Sequence, residues 1–384
     1  MFVFKSLKCE NEQRYIIGGK NRIIHYMQKK ICFFNTTKVW GGGEKWHFDV
    51  SKYLTEKGYD IFLVCRKNSE LHKKLQNAGI RHYPLNIGNL SYLNPLKIVF
   101  LKKIFEKEGV RTIIMNLSSD VKLAAHAAKR AGVKRIIYRR GSAIPLKNTF
   151  YNRYIFKNWV TEILANSEAT KKTINQNNPN LFPENKITVI YNGINLDAFA
   201  DCEKQTGNKK IILGNVGRLE REKGHKELIE IGHKLFQQGL DFELRIAGAG
   251  SQKKELEEQI DKRNLKDHVF LKGFKNDVKE FLKPIDIFLL TSHWEGFGYV
   301  LVESMACYKP VIAFGVSSIP EIVEDDKTGY VIPMNDLTLF AKKIQILAEN
   351  KDLRIMFGYN GRKRTERYFD IKKSFERIEK YLTI

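Results

Sequence analysis

Short apolar runs alternate with segments of helical periodicity along most of the chain, and this alternation is its most regular feature. In the first half, buried strands are predicted at 31–35, 60–65, 111–115, 135–138, 162–165 and 186–190, and helices at 44–57, 69–78, 120–131 and 168–176. In the second half, strands are predicted at about 210–215, 242–247, 268–272, 286–290, 310–314 and 329–332. Because strands that alternate with helices form parallel sheets covered by helices, the pattern predicts an α/β protein with two doubly wound, Rossmann-like domains.

The first domain is predicted to span residues 27–200. Residues 1–26 are polar and basic with no clear period, which predicts a poorly structured N-terminal extension. At the other end, the turn Asn192-Gly193 and the polar stretch that follows it place the domain boundary near 195–208.

The second domain is predicted to span residues 201–366. From Leu337 to Leu382 the pattern is almost entirely helical and contains no further strand. We therefore expect the last part of this helical tail, residues 367–384, to cross back and pack on the first domain.

One strand, loop and helix in the second half combine several features of a ligand site. The apolar run Ile287–Leu290 predicts a buried strand, the loop Glu295-Gly296-Phe297-Gly298 follows it, and a helix is predicted from Tyr299 to Cys307. Backbone N–H groups at the glycines and the positive end of the helix favour an anionic ligand. Glu295 and Glu303 flank the loop, and carboxylates accept hydrogen bonds from sugar hydroxyls. A single glutamate is usually a solvated surface residue, but this pairing with glycines favours a binding role.

Other loops of the same kind follow neighbouring strands. The sequence Gly41-Gly42-Gly43 precedes the first predicted helix, where it is compatible with either a phosphate site or a tight structural turn. After the first strand of the second domain, Arg218 and Lys223 bracket a turn, and two cations there can clamp a diphosphate, although a basic surface loop has the same pattern. The next strand ends in Gly248 and Gly250. The carboxyl ends of parallel strands meet at one edge of a sheet, so these loops are predicted to converge.

Together these motifs resemble those of the retaining GT-B glycosyltransferases of group four, which include bacterial lipopolysaccharide, capsule and phosphatidylinositol mannoside transferases. The matching motifs of the second half are Gly217-Arg218-Leu219, Lys223-Gly224, Gly248 and Gly250, Leu271-Lys272-Gly273-Phe274, Glu295-Gly296-Phe297-Gly298, Glu303, Pro310-Val311-Ile312-Ala313 and Pro320-Glu321-Ile322-Val323. In the first half the matches are Trp40-Gly41-Gly42-Gly43-Glu44 and Asn192-Gly193-Ile194. The resemblance implies a GT-B fold, in which two Rossmann-like domains face each other across a cleft and the C-terminal helices cross back to the first domain.

The resemblance also implies a role for each matched residue. Arg218 and Lys223 would hold the diphosphate of a nucleotide sugar and stabilise charge on the leaving group. Glu303 would bind the ribose hydroxyls, and Glu295 would contact the transferred sugar. The remaining residues of the implied donor site are Gly42, Gly43, Gly217, Gly250, Gly296, Phe297 and Gly298, with the Gly273-Phe274 backbone next to the base.

Two segments depart from the family pattern. Many relatives carry a histidine before the glycine that follows the fifth strand, where this chain has Arg140 before Gly141. Arg140 is therefore predicted to bind an acidic acceptor or a sugar phosphate, with a solvated arginine as the alternative. Asp120, in the preceding strand-end loop, is predicted to be a catalytic or acceptor-binding group. Ser317-Ser318 replaces two glycines common in relatives, so donor preference is expected to differ.

No cofactor or metal is expected beyond the nucleotide-sugar donor. The chain has no Asp-x-Asp motif, and its nine histidines form no HxxxH or HExxH spacing.

No apolar run reaches the roughly 18 residues of a membrane-spanning helix, so a cytoplasmic protein is expected. The five cysteines are scattered and odd in number, which predicts reduced thiols.

Positive charge is concentrated in the first half. Residues 1–200 contain 34 Lys and Arg against 14 Asp and Glu, a net charge of +20, whereas the rest of the chain has a net charge of +3. Such asymmetry predicts an acidic partner for the first domain. The segments 96–110 and 145–160 mix aromatic and aliphatic residues with cations, which suits the anionic inner leaflet of a membrane as well as ordinary packing on the sheet. No helix-turn-helix or aromatic RNA-binding signature supports a nucleic-acid partner.

Together with the resemblance, which alone implies retention of configuration, these observations predict a retaining, metal-independent glycosyltransferase that moves a hexose-type sugar to a glycan or lipid-linked saccharide in cell-surface polysaccharide or lipopolysaccharide synthesis. Three alternatives stay open at this point. The first is another GT-B enzyme, either a phosphorylase or a sugar-nucleotide epimerase. The second is a non-catalytic protein that binds nucleic acid or a membrane, and the third is a scaffold that binds the donor without transferring it.

Overall fold

The computed structural model describes residues 30–88, 90–202 and 210–383, together with three short backbone strands near the N-terminus. These strands, β1 (Lys8–Cys9), β2 (Glu12–Ile17) and β3 (Lys20–Ile23), pair in antiparallel fashion in the order β1-β2-β3. The segment predicted to be poorly structured therefore contains paired strands.

The first domain is a seven-stranded parallel sheet with the order β10-β9-β8-β7-β4-β5-β6. Its strands are β4 (Lys30–Asn35), β5 (Ile61–Arg66), β6 (His82–Leu85), β7 (Val110–Met115), β8 (Arg135–Arg140), β9 (Glu162–Ala165) and β10 (Ile187–Val189). Its helices are α1 (Gly42–Glu56), α2 (Glu70–Asn77), α3 (Pro95–Lys107), α4 (Ser118–Asp120), α5 (His126–Arg130), α6 (Phe150–Asn158) and α7 (Glu168–Asn175), and a π-helical turn at Val121–Ala125 joins α4 to α5. The predicted strands and helices of this half all have counterparts in the structure.

Strand β6 has no counterpart among the predictions. Among the described strands it lies at the edge of the sheet, where it pairs with β5 alone, and it is half-exposed. It also contains Pro84, which cannot donate a backbone hydrogen bond and is tolerated in sheets mainly on edge strands. A short, half-exposed strand with a proline lacks the apolar run by which buried strands are predicted.

The second domain is a six-stranded parallel sheet with the order β13-β12-β11-β14-β15-β16. Its strands are β11 (Ile211–Val216), β12 (Phe242–Ala247), β13 (Val269–Leu271), β14 (Ile287–Leu290), β15 (Val311–Phe314) and β16 (Gly329–Ile332). Its helices are α8 (His225–Gln237), α9 (Lys253–Lys262), α10 (Val278–Leu282), α11 (Tyr299–Ala306), α12 (Ile319–Ile322), α13 (Leu337–Glu349) and α14 (Lys351–Tyr368). The strand order reverses beside β11, and open α/β sheets bind ligands at the carboxyl ends of strands at such a switch point.

The last helix, α15 (Ile371–Thr383), packs on the first domain as predicted. Ile378 and Leu382 are buried in the same apolar cluster as residues of β4, β5 and α1. The carboxylate of Glu379 accepts hydrogen bonds from the hydroxyls of Tyr53, at 2.6 Å, and Tyr59, at 2.9 Å. The C-terminal helix therefore packs on the first domain and connects it to helix α14 of the second domain, which precedes it in the chain.

Two of the cysteines are not the reduced thiols that the sequence analysis expected. Cys202 and Cys307 form a disulfide that ties the start of the second domain to the end of α11. Cys32 and Cys65 are buried free thiols in the first sheet. Among the described residues, no helix is both long and apolar enough to span a bilayer.

Candidate active site

The carboxyl ends of the two sheets face each other across a cleft that contains a cavity of about 310 Å³. The first domain contributes Gly42, Gly43, Arg139, Gly141, Asn166 and Asn192 to its wall, and the second contributes Val216, Lys223 and the segment from Glu295 to Val300. The two walls touch at one side, where Asn166 Nδ2 donates a hydrogen bond of 3.1 Å to the carbonyl oxygen of Gly296. A Cβ atom at Gly296 would lie 2.3 Å from the carbonyl oxygen of Gly141, so only glycine allows this approach.

Lys223 and Glu295, two of the predicted donor-site residues, form an ion pair in this cavity. Lys223 Nζ lies 2.7 Å from Glu295 Oε1, and the hydroxyl of Ser292 donates to the same oxygen at 2.8 Å. Both side chains are mostly buried. The backbone at Gly224 is left-handed, and a Cβ atom there would lie 1.9 Å from the carbonyl oxygen of Thr291. Glycine therefore lets the turn that carries Lys223 lie directly against the end of β14.

Arg218 occupies a different position from the one expected of a diphosphate clamp. Its side chain is 66% exposed and donates a 2.7 Å hydrogen bond to Glu222, four residues along the chain. It belongs to the same turn as Lys223 but does not line the cavity. One of the two predicted cations is therefore in the cleft, and the other is exposed at its rim.

The glycines predicted in the donor site bring backbone segments together. A Cβ atom at Gly250 would lie 2.4 Å from the carbonyl oxygen of Leu219, which places the loop after β12 against the loop after β11. Gly217 joins the same two loops through its N–H, which donates to the carbonyl of Ala247 at 3.0 Å. Gly298, at φ +84°, precedes the first turn of α11. Phe297 is buried, so its ring supports the loop while the surrounding backbone faces the cavity.

Glu303 and Phe274 lie outside the cavity lining. Glu303 is half-buried on α11, and burial raises the pKa of its carboxyl group to about 7, while the charge of Lys45 in the first domain opposes this shift. Phe274 follows Gly273 at the end of β13 and is 71% exposed. Its ring is therefore free to contact a flat ligand group that approaches this edge of the sheet.

A second cavity of about 660 Å³ lies in the first domain and shares Gly43, Arg139 and Gly141 with the first. Arg140, the predicted acceptor-binding residue, lines it and is buried. Its guanidinium donates to the hydroxyl of Tyr138, at 3.1 Å, and to the carbonyl of Ile144. Arg140 thus shapes the loop after β8 and contributes charge to this cavity.

Asp120 is in neither cavity lining, so the geometry gives no support to its predicted contact with the acceptor. The side chain is buried, and its two oxygens accept hydrogen bonds from the hydroxyl and N–H of Thr36 and from the N–H of Leu117. Burial raises the pKa of its carboxyl group to about 7, although these hydrogen bonds act in the opposite direction. In this structure Asp120 joins the loop after β4 to the loop after β7.

Sequence reasoning missed two residues that the fold brings to the cleft. Arg139 is adjacent to Arg140, and nothing in the sequence shows which of the two faces the space between the domains. Glu321 lies in the matched motif Pro320-Glu321-Ile322-Val323, but its hydrogen-bond partners are in the other domain. Its carboxylate accepts the N–H groups of Glu168, at 2.8 Å, and Ala169, at 2.6 Å, and the hydroxyl of Tyr191, at 2.8 Å.

Two Rossmann-like domains that face each other across a cleft define a protein of the GT-B fold class. The structure of HepE from Anabaena in complex with UDP superposes with a TM-score of 0.80 at 21% sequence identity, covering 92% of this chain and 99% of that one. The predicted fold class is thereby confirmed.

The family follows from sequence relatives. A model described as glycosyl transferases group 1 matches residues 200–364, and one described as glycosyltransferase family 4 matches residues 40–198. The capsular polysaccharide biosynthesis glycosyltransferase CapM of Staphylococcus aureus is 32% identical over 85% of this chain and 90% of its own length. A UDP-Gal:alpha-D-GlcNAc-diphosphoundecaprenol alpha-1,3-galactosyltransferase of Escherichia coli is 26% identical over 91% of this chain and 95% of its own length. The chain belongs to the group 1 glycosyltransferase family and is a glycosyltransferase.

Proposed function

We propose that the protein is a retaining, metal-independent glycosyltransferase that moves a hexose-type sugar from a nucleotide diphosphate sugar to a saccharide acceptor in cell-surface polysaccharide synthesis. The observation that carries the proposal is the Lys223–Glu295 pair in the interdomain cavity, next to the glycine loop and the start of α11. A cation, a carboxylate and free backbone N–H groups at one cleft are the groups that a nucleotide sugar requires.

In the proposed reaction, an acceptor hydroxyl loses its proton and forms a bond to the sugar, the bond between the sugar and the diphosphate breaks, and negative charge develops on the leaving phosphate. Lys223 and the start of α11 stabilise that charge, and Arg218 approaches from the rim when the donor binds. Glu295, held by Lys223 and Ser292, orients the transferred sugar through its hydroxyls. Glu303 accepts hydrogen bonds from the ribose, and Phe274 lies against the base. These fixed charges provide the leaving-group stabilisation that a metal ion would otherwise supply.

The proposed acceptor is a glycan or a lipid-linked saccharide held by the first domain. This domain exposes an apolar ridge beside the 660 Å³ cavity, defined by the side chains Leu90, Leu93, Leu96, Phe100, Ile144, Phe150 and Tyr154. The ridge has one part at residues 90–100 and another at residues 144–154. Tyr92 and Tyr151, whose ring centres are 5.7 Å apart, connect these two parts. Ile144 both belongs to the ridge and lines the cavity, so a lipid lying along the ridge would place its saccharide in the cavity.

The ridge also supports peripheral binding of a cytoplasmic enzyme to the inner face of the membrane. Exposed apolar side chains enter the interface while lysines contact anionic headgroups. The lysines of α3 and the net charge of +20 over residues 1–200 suit that surface. The printed activity of the E. coli relative, with its diphosphoundecaprenol-linked acceptor, supports a lipid-linked substrate.

The decisive experiment is a thermal-shift screen of UDP-, GDP- and ADP-sugars, followed by a transfer assay with the donor that stabilises the protein. A ligand at 100 times its Kd stabilises the folded state by about 2.7 kcal/mol. The presence of UDP in the HepE structure makes UDP-sugars the first choice. Incubation with nucleotide sugar alone, and then with phosphate and glycan, separates transfer from epimerase or phosphorylase activity. A chain that binds no nucleotide sugar would contradict the proposal.

A further inference from the structure

A buried cation in the first domain lies where the two cavities meet. Arg139, at the carboxyl end of β8, is 3% exposed and lines both the 310 Å³ and the 660 Å³ space. Its guanidinium donates to the side-chain oxygens of Asn116 and Asn192, both at 3.3 Å, and its Cζ lies 4.8 Å from the centre of the Trp46 ring. Hydrogen bonds of 3.3 Å are long for an N–H donor. With hydrogen bonds to these two asparagines among the described residues, three of the five N–H groups of the guanidinium are left for other acceptors.

The charge of this guanidinium has no directly bonded carboxylate partner among the described residues. Within the described parts of the chain, Arg139 forms no ion pair with a carboxylate. Glu44 is the acidic group that faces it, and its charge favours the charged guanidinium, but its carboxylate accepts hydrogen bonds from Asn35 and Asn116 and not from Arg139. His47, on the other side, is buried, and burial together with the charge of Arg139 holds its pKa well below the ordinary value. A buried guanidinium stays charged, and leaving it unpaired is costly unless an anion enters.

The surroundings of Arg139 indicate which substrate brings that anion. The 660 Å³ cavity is lined by four cations, Lys122, Arg139, Arg140 and Lys147, and by one acidic residue, Glu44. The proposed cations for the donor diphosphate, Lys223 and Arg218, belong to the other domain. Charge on the first-domain wall therefore remains available to the acceptor.

We infer that Arg139 selects an acceptor that carries an anionic oxygen group, a phosphate or a carboxylate, close to the hydroxyl that receives the sugar. This inference rests on the proposed function and goes beyond it by giving the acceptor a chemical class and naming its specificity-determining residue. The planar guanidinium can bind such a group through two parallel hydrogen bonds. The phosphate that joins a saccharide to its carrier and the carboxylate of an acidic sugar both have this chemistry.

Binding measurements on the full-length chain test the inference without requiring turnover. With UDP at saturation to block the donor site, calorimetry compares glucose 1-phosphate, glucuronic acid and methyl glucoside. We expect at least one of the two anions to bind at least tenfold more tightly than the neutral glycoside, and the tighter anion identifies the source of the charge. Equal binding of all three by the wild-type protein overturns the inference.

Variants then assign the preference to this residue. Arg139→Gln should remove the preference for the anion while changing the Kd for UDP less than twofold, and Arg139→Lys, which keeps the charge, should retain part of it. Arg153→Gln is the matched control, because Arg153 is an exposed first-domain arginine that contacts Asn148. An Arg139→Gln variant that still prefers the anion overturns the inference. If this variant does not fold, an Arg139→Lys variant with the full wild-type affinity for the anion overturns the bidentate contact.

Transfer assays with two acceptors that differ only in charge separate this inference from the proposed function. For Arg139→Gln, kcat/KM should fall at least tenfold more with the charged acceptor than with the neutral one. Equal losses with both acceptors would contradict acceptor selection. If Arg139→Gln lost more activity with a uronic-acid donor than with a neutral sugar donor, Arg139 would bind an anionic group of the donor. Its assignment to the acceptor would then be overturned. If the wild-type chain neither binds nor transfers a nucleotide sugar, the proposed function is contradicted. If it transfers the sugar with no preference for a charged acceptor, only this inference is contradicted.

Discussion

Glu321 Oε1 lies 2.6 Å from the backbone nitrogen of Ala169, in a hydrogen bond that crosses from the second domain to the first. The other carboxylate oxygen accepts the N–H of Glu168 and the hydroxyl of Tyr191. Glu321 therefore places a negative charge at the N-terminus of α7, where free N–H groups and the helix dipole favour it. Because these contacts join the two domains, they stabilise the arrangement of the domains seen in this structure.

Glu321→Gln should weaken closure and slow transfer. Loss of charge at a helix N-terminus costs about 0.3–1 kcal/mol, and loss of a capping contact costs about 0.5–2 kcal/mol. We expect a larger radius of gyration by small-angle scattering and a roughly tenfold lower kcat/KM, since 1.4 kcal/mol corresponds to a factor of ten. Glu324→Gln is the matched control, because Glu324 pairs with Lys327 and Arg364 inside the second domain. Unchanged scattering and activity in Glu321→Gln would contradict this role.

The double variant Arg218→Ala with Lys223→Ala should abolish transfer while leaving the fold intact. Removing one group that stabilises a developing negative charge typically costs a factor of 10² to 10³ in kcat. Of the single variants, Lys223→Ala should lose more activity, because Lys223 lines the cavity whereas Arg218 is at the rim. Initial rates and melting temperatures provide the measurement. Lys226→Ala, which removes a nearby lysine paired with Glu255, should remain active, and activity retained by the double variant would refute the diphosphate clamp.

Donor affinity should depend on pH through Glu303, because burial raises the pKa of this carboxyl group to about 7. The ionised carboxylate accepts hydrogen bonds from two ribose hydroxyls, whereas the protonated carboxyl group is itself a donor at one oxygen. The Kd for a nucleotide sugar should therefore rise as pH falls from 8 to 6. The diphosphate diester of a nucleotide sugar stays ionised over this range. Glu303→Gln should bind more weakly at pH 8 and show no such dependence. A wild-type Kd that is constant between pH 6 and 8 would rule out ribose binding by a titrating Glu303.

The same raised pKa has the opposite consequence for stability. Between the unfolded-state pKa of about 4.3 and the folded-state pKa of about 7, the unfolded chain binds fewer protons at this group, so stability falls as pH rises. Asp120 contributes to the same slope, because its carboxyl pKa is also raised to about 7. Asp120→Asn should therefore flatten the pH dependence of unfolding but leave that of donor binding unchanged, which distinguishes the two carboxylates.

The apolar ridge should bind anionic membranes. Leu96→Asp with Phe100→Asp places two negative charges on exposed positions of α3, and we expect it to abolish cosedimentation with vesicles that contain phosphatidylglycerol at low salt. Binding of the wild-type protein should weaken with added salt, since each basic residue near the surface contributes about 1 kcal/mol of screened attraction. Phe236→Asp, at an exposed phenylalanine of the second domain, is the matched control. Wild-type protein that stays in the supernatant at low salt would exclude this surface as a membrane site.

The arrangement of strands was predictable because buried strands and amphipathic helices have different apolar periods. The exceptions follow from the same physics. Edge strand β6 is half-exposed and contains Pro84, so it has no apolar run. The π-helical turn at Val121–Ala125 was missed because it changes the hydrogen-bond register without changing the periodicity enough to be recognised.

The sequence by itself determined the kind of site, because glycines, cations and carboxylates at the ends of parallel strands must converge on one edge of each sheet. Only the tertiary structure decided which of them meet. Lys223 and Glu295 are 72 residues apart, and their 2.7 Å contact depends on the close packing of Gly224 against Thr291. Burial of Arg139 and the partners of Glu321 depend on how the second domain lies against the first. No local pattern records such contacts, because they arise from packing between segments that are distant in the chain.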